Sequence, residues 1–486
     1  MQDIHNLFDQ EDGTGLATRV RNAELHPAEL LEAAIVRLER VEPQLNAVVE
    51  RLYDDARAAA RQPASRLGPF AGVPTLVKDL FSPLAGALMS NGSHALGLAR
   101  PDFDGELVSR LRRSGCLLMG TSTSPEFGTS YTTESQRFGA TGNPWSLEHS
   151  SGGSSGGAAA LVAARVVPFA HGNDGGGSLR VPASCCGVFG FKPSRGLLPS
   201  GPIVGEGWAG MGTGHAITLS VRDSAALLDA TAGIDLGAPY AAPLAARPYR
   251  LAVLDEPAPL RIALVEQVGP WPVSADSQAA LRDAATLCES LGHRVVQESL
   301  PVDLEAFLDQ VFTIIGASTR NYLDVLGQMR GAPVSLDEVE ARTRIILRDK
   351  GEVTGAQYAG AVEWIHAFGR RMAGFMQNYD VILTPTLARL PPRLGELQVE
   401  SDRWSLQQLI EHFHSYSPYT ALCNASGQPA MSVPLYWSPS GLPLGAHFMG
   451  RFGEESLLLS LAAQLERARP WRGRVPPVNA MGSQPR

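Results

Sequence analysis

A run from Ser150 to Ser184 constrains this chain more than any other. It holds two clusters of glycine and serine. The first is Gly152-Gly153-Ser154-Ser155-Gly156-Gly157 and the second is Gly175-Gly176-Gly177-Ser178. Ser154 and Ser178 stand 24 positions apart. Between them lie an alanine-rich, helix-favouring stretch and an apolar, strand-like one. Glycine in such numbers lets backbone approach a reacting group closely and leaves N–H groups free to face an anion. A serine hydroxyl can attack or relay a proton. The pair of clusters points to acyl chemistry, provided that a base lies elsewhere in the chain.

The rest of the pattern supplies a scaffold. After His26 and Pro27, Leu30, Leu31, Ala34, Ile35, Leu38 and Val41 recur at helical spacing, and Pro43 is expected to close that helix. A second helix is expected over 54–62. Strand-length apolar runs follow at Val73–Val77, Cys116–Met119, Val166–Ala170, Gly187–Phe191, Arg261–Val265 and Val381–Leu383. Helical patterns separate them, at Gly105–Ser114, Ala158–Ala164, Val221–Ala232, Ser277–Leu291 and Ser456–Leu465. Alternating strands and helices predict an α/β sheet layered with helices. Residues 236–260 read as a connection. Residues 303–378 read as a mostly helical insertion that shapes a cleft.

Composition narrows the class. The 486 residues are 44% apolar, enough for a large core, and the formal net charge is −8. A mildly acidic chain with no basic block is not expected to bind nucleic acid. The first residues carry no signal-peptide pattern, and no apolar run is long enough to span a membrane. Five cysteines (Cys116, Cys185, Cys186, Cys288 and Cys423) show no metal spacing. They are expected to be reduced, buried thiols in a cytoplasmic protein.

A candidate base is Lys78, which ends the apolar segment Gly72-Val73-Pro74-Thr75-Leu76-Val77. Burial there would disfavour the ammonium form and lower its pKa. The competing reading is a surface lysine paired with Asp79. Gly72-Val-Pro-x-x-x-Lys78-Asp79, the two serine clusters, Asp174-x-Gly-Gly-Ser178-x-Arg180-x-Pro182-Ala183 and Gly190-Phe-Lys-Pro193 together resemble the amidase signature family. So do Tyr379-Asp-Val-Ile-Leu-Thr-Pro385, Asn424-x-Ser-Gly-Gln-Pro429-Ala430 and Gly441-Leu-Pro-Leu-Gly445. The likeness runs from about residue 20 to residue 471.

That resemblance implies an amidase-signature fold: a central mixed β-sheet covered by helices on both faces. It implies an N-terminal helical segment, 1–65, packed on a single amidase domain, 66–475. It also implies an amidase with a Ser–cis-Ser–Lys triad. Ser178 is then the nucleophile, Ser154 the bridging serine after a cis bond from Gly153, and Lys78 the base. Backbone N–H groups of Gly175, Gly176, Gly177 and Ser178 are the expected oxyanion donors. Ser155 is expected to support the site, and Asp174 and Arg180 to pair and brace the nucleophile loop, with direct substrate contact by Arg180 as the minor reading. No metal or organic cofactor is expected. The expected partner is a small-molecule amide, with a homodimer as the assembly to look for.

Pro125-Glu126-Phe127, Thr132-Thr133-Glu134, Gly139–Trp145 and His171-Gly-Asn-Asp174 carry a closer likeness to the branch that hydrolyses a cyclic aliphatic amide. Asn173 replaces the family's more usual threonine there. Gly120-Thr121-Ser122-Thr123 departs from the usual Gly-Lys-Thr-Asn and alters the hydrogen bonds expected in that loop. The substrate pocket is expected to be governed by 303–378 and 400–420. Substrate readings are a linear or cyclic aliphatic amide or a small aryl amide. The alternatives are a glutamine-hydrolysing amidotransferase subunit and a non-catalytic binding protein on the same fold.

Four rival readings fare worse. Gly153-Ser154-Ser155-Gly156-Gly157 also fits G-x-S-x-G with Ser155 as nucleophile, but the turn-like residues before it do not make the strand that an elbow needs. No phosphate-loop motif accompanies the glycines. Lys192 is a rival base that the following Pro193 marks as structural, and His412 and His414 lack partners for a metal site.

Overall fold

Alternation of short apolar strands with helices produces a layered sheet in the computed structural model, which describes residues 2–481. The strands that position the site are β1 (Val48–Arg51), β2 (Pro74–Lys78), β3 (Leu117–Ser122), β4 (Phe169–Asp174), β5 (Phe189–Lys192) and β6 (Thr213–Thr218). Beyond them come β7 (Arg261–Leu264), β8 (Arg294–Gln297), β9 (Val381–Pro385), β10 (Ala430–Trp437) and β11 (Pro443–Gly450). An 8-stranded sheet runs β8-β7-β9-β11-β10-β5-β6-β4, and a 3-stranded sheet runs β1-β3-β2. The sheet is mixed. β7 pairs in parallel with β8 and β9, whereas β9 to β11 and every pair from there to β4 is antiparallel.

Strands β9 and β11 are buried at every residue. A strand buried along both faces must be covered on both, which places helices above and below the sheet. Thr75 Oγ1 of β2 donates to Phe169 O of β4 at 2.9 Å, so the small sheet stands against the edge of the large one. Lys78 and the strand that leads to Ser178 are thereby neighbours.

The helix expected after Pro27 runs Pro27–Leu45, and its predicted stripe is buried. Pro43 does not close it. The helix continues through Pro43 to Asn46, whose left-handed backbone and N–H bond to Glu42 O at 2.9 Å end it. Proline this near a C-terminus deletes one hydrogen bond without breaking the last turn. The first 65 residues are also not purely helical, because β1 pairs antiparallel with β3. Residues 303–378 form the helices Leu304–Arg330, Ala341–Lys350 and Gly355–Phe375.

Candidate active site

Three segments converge at the end of β2. Lys78, the last residue of that strand, is 0% exposed. Its Nζ lies 2.7 Å from Ser154 Oγ and 2.7 Å from Asn173 Oδ1. Burial holds its pKa well below the ordinary lysine range, opposed only by the nearby charge of Asp174. Asp79 is not its partner. That carboxylate turns away to accept from Ser90 N at 2.7 Å and from Ser90 Oγ, and burial lifts its pKa to about 6.

Ser154 follows a cis peptide bond from Gly153. Glycine is required before it by crowding: a Cβ at Gly153 would stand 2.6 Å from the Thr132 carbonyl oxygen. Ser155, next along, donates its Oγ to Asn173 O at 3.2 Å, and its N–H donates to Ser178 O at 3.2 Å. This backbone bond ties the two serine clusters together. The helix Gly156–Ala163 then carries the chain away.

The second cluster bends out of β4. Gly177 has φ +135°, and a Cβ there would meet Thr420 Oγ1 at 2.4 Å. Ser178, 7% exposed, lies on the wall of the cleft. Its Oγ makes no hydrogen bond to protein among the described residues, and none links it to Ser154 Oγ. One expected oxyanion donor is corrected. Gly177 N–H already donates to Asp174 Oδ1 at 2.7 Å, because the Asp174 carboxylate folds back to cap the turn with Gly177 N and, at 3.0 Å, Leu179 N. The N–H groups of Gly175, Gly176 and Ser178 donate to no side chain among the described residues. Gly176 O accepts from Thr420 Oγ1 at 2.7 Å and Tyr131 OH at 3.3 Å, which fixes the plane of the next peptide.

Asp174 and Arg180 pair as expected, wholly buried, through Arg180 Nε to Oδ2 at 2.9 Å and Nη2 to Oδ1 at 2.9 Å. Burial works against both charges. The Arg180 guanidinium nevertheless keeps Asp174 well below the usual carboxylate range, and Asp174 raises Arg180 in return. Arg180 also donates to Thr420 O at 2.9 Å, Asn424 Oδ1 at 2.7 Å, Cys423 Sγ at 2.7 Å and His447 Nε2 at 2.9 Å. Nε, Nη1 and Nη2 of Arg180 are thus all engaged inside the fold rather than at the cleft. Lys192 is likewise buried, and its Nζ donates to Pro193 O at 2.7 Å.

A cleft that is partly open to solvent lies over Ser178. Val311, Phe312 and Ile315 from the helix Leu304–Arg330 and Ile346 form one wall, and Leu409 and Phe413 form another. Both walls come from the expected segments. Trp208 covers Gly175, where a Cβ would meet its ring at 2.8 Å. His414 is a wall residue, kept neutral by burial with its pKa at about 4. Among the described residues no group of three or more metal-ligating side chains gathers.

Sequence reasoning noted Asn173 only as part of the closer likeness, without a role in the site, and passed over Tyr131, Trp208 and Thr420. Asn173 had a readable signal. On a strand, residues two apart share a face, and His171, whose Nδ1 accepts from Lys78 N at 3.3 Å, shares one with Asn173. The other three come from loops and a short helix, where no period marks the inward side. In the departing segment, Thr123 Oγ1 bonds Thr141 Oγ1 at 2.7 Å, whereas buried Thr121 Oγ1 and Ser122 Oγ find no partner among the described residues.

The amidase family model matches residues 29–459 of the chain. The chain belongs to the amidase family. It is an enzyme that hydrolyses amide C–N bonds. It is 38% identical over 480 residues to the 6-aminohexanoate-cyclic-dimer hydrolase of Pseudomonas sp. (strain NK87), covering 96% of each chain. It superposes on the solved structure of a 6-aminohexanoate cyclic dimer hydrolase with TM-score 0.90 and 36% identity, covering 96% of this chain and 99% of that one. A bacterial aryl acylamidase of the amidase signature family gives TM-score 0.85 at 28% identity, with 95% and 96% covered. The central mixed sheet of this amidase is the fold of those enzymes. Among its described residues no helix is long and apolar enough to cross a membrane.

Proposed function

We propose that this amidase hydrolyses uncharged linear or cyclic aliphatic amides, or small aryl amides, through an acyl-enzyme on Ser178. The observation that carries the reading is the 2.7 Å contact of a fully buried Lys78 Nζ with Ser154 Oγ. A desolvated lysine is neutral near neutral pH, and a neutral amine has a lone pair that can take a proton. Lys78 takes the Ser154 proton, Ser154 takes that of Ser178, and Ser178 Oγ attacks the amide carbon. Hydrogen bonds of this kind commonly tighten only in the substrate complex, which accounts for a Ser154–Ser178 link that is open here.

The carbonyl oxygen, now negative, is held by N–H groups of Gly176 and Ser178, with Gly175 beside them. Ser154 returns its proton to the leaving amine and regains one from Lys78, which is neutral again for the second half of the reaction. Water repeats the cycle on the ester and frees the acid. The substrate class rests on the apolar walls and on the hydrolase relatives. Alkyl or aryl groups desolvate against Phe312, Ile315 and Leu409 at little cost, and Arg342, the charged side chain that also lines the cleft, is paired with Glu340. A cytoplasmic setting fits five cysteines that are all buried and free.

The test is a panel of cyclic, linear and aryl amides given to the purified chain alone. Turnover of one of them without a partner protein, lost in Ser178→Ala, supports the reading. Glutamine hydrolysis that requires partner proteins would overturn it.

A further inference from the structure

Lys78 Nζ has two neighbours at the same distance, and only one of them belongs to the relay. The other, Asn173, has an orientation that its surroundings decide. Its Nδ2 donates to Leu80 O at 2.7 Å, and a carbonyl oxygen can only accept. Turning the amide over would set Oδ1 against that carbonyl and Nδ2 against the lysine. Asn173 therefore faces Lys78 with an atom that accepts and never donates.

A neutral amine offers two N–H groups and one lone pair. An acceptor fixed at Asn173 Oδ1 takes one N–H. The lone pair is then free to turn to Ser154, whose hydroxyl becomes the donor. We propose that Asn173 is a positioning residue that sets the direction of proton transfer between Lys78 and Ser154 by occupying a Lys78 N–H. A hydroxyl at this place could donate or accept and would leave the direction open. Because Leu80 lies two residues after Lys78, the same side chain also holds the turn that ends β2. This inference rests on Lys78 acting as the base.

The charged and titratable groups around Lys78 do not take over that task. On its own segment Asp79 is engaged by Ser90. From β4, His171 meets the Lys78 backbone, not its amine, and is kept neutral by burial, with its pKa at about 3. Asp174 is paired with Arg180. Among the described residues Lys78 has no ion-pair partner.

The test uses the purified full chain, one amide that the natural enzyme turns over, and kcat and KM measured across the pH range. Asn173→Leu keeps the volume and removes the acceptor. The expected result is a kcat lower by about tenfold or more, with KM within about threefold. Asn173→Asp places a carboxylate on the amine. It should hold Lys78 as ammonium and move the acid limb of kcat/KM upward by about one pH unit or more, with activity returning at high pH. A kcat near the natural value in Asn173→Leu overturns the proposal, as does an unmoved acid limb in Asn173→Asp. If Asn173→Asp does not fold, Asn173→Leu decides alone. Activity surviving in Ser178→Ala would sink the underlying triad; an inactive Ser178→Ala beside an unimpaired Asn173→Leu would sink only the positioning role.

Discussion

Ser155 N–H donates to Ser178 O at 3.2 Å, and this bond joins the loop of the proposed relay serine to the loop of the proposed nucleophile. The two clusters are 24 residues apart in sequence, and a helix and a strand separate them. The geometry of the site thus includes a backbone contact that truncation of a side chain leaves in place, whereas its proposed chemistry depends on three side chains that can each be removed.

Lys78→Ala and Ser178→Ala should each lower kcat by about 10³-fold or more, and the double substitution should be little worse than either. Residues that act as one unit lose their joint effect when the first is removed. Steady-state kinetics on the three variants measures this; losses that multiply would mean that the two residues act independently.

Ser154→Ala breaks the relay but leaves the nucleophile and the base in place. A loss of about 10²–10⁴-fold in kcat is expected, with KM little changed. An unchanged kcat would show that Lys78 reaches Ser178 without it.

Burial depresses the Lys78 pKa in the folded enzyme. The unfolded chain keeps a lysine pKa of about 10.4. Between the folded value and that one, the unfolded state binds a proton that the folded state does not, so this group costs stability that is regained as pH rises. Lys78→Met removes the effect. The stability of Lys78→Met relative to the natural chain should therefore be greatest near neutral pH and shrink toward about pH 10. Denaturant melts at several pH values report it; a difference that grows with pH would contradict a neutral Lys78. In the same account, activity falls on the acid side as the ammonium forms.

Much of the candidate site was legible because its residues sit in local motifs. Lys78 ends an apolar strand, and Ser154 and Ser178 lie in glycine runs whose flexibility marks them. Several other features were hidden. Gly177 N–H is taken by an Asp174 carboxylate three residues away, a turn that composition does not reveal. Strands β10 and β11 escape period-two reading because β11 is buried at every residue, and β10 carries Pro434 where its pairing with β11 shifts between Val433 and Tyr436. Proline in a strand ordinarily argues against one, except at such an irregularity. Trp208 and Tyr131 enter the cleft from loops, and only tertiary packing brings them there.

The brace behind the nucleophile should be the most sensitive point for folding. Arg180 and Asp174 are both fully buried. Asp174→Ala leaves a buried guanidinium without its counter-charge and should destabilise by about 3–5 kcal/mol. Chemical denaturation measures this, and a loss under about 1 kcal/mol would mean that the other Arg180 partners suffice.

The most direct test of the whole account is to trap the acyl-enzyme. The enzyme is mixed with an activated aryl ester or amide of a short acid, quenched in acid during turnover, and mapped by peptide mass. The account predicts one acyl group on the peptide that carries Ser178, absent in Ser178→Ala. An acyl group on Ser154, Ser155 or a cysteine, with Ser178 unmodified, would contradict it.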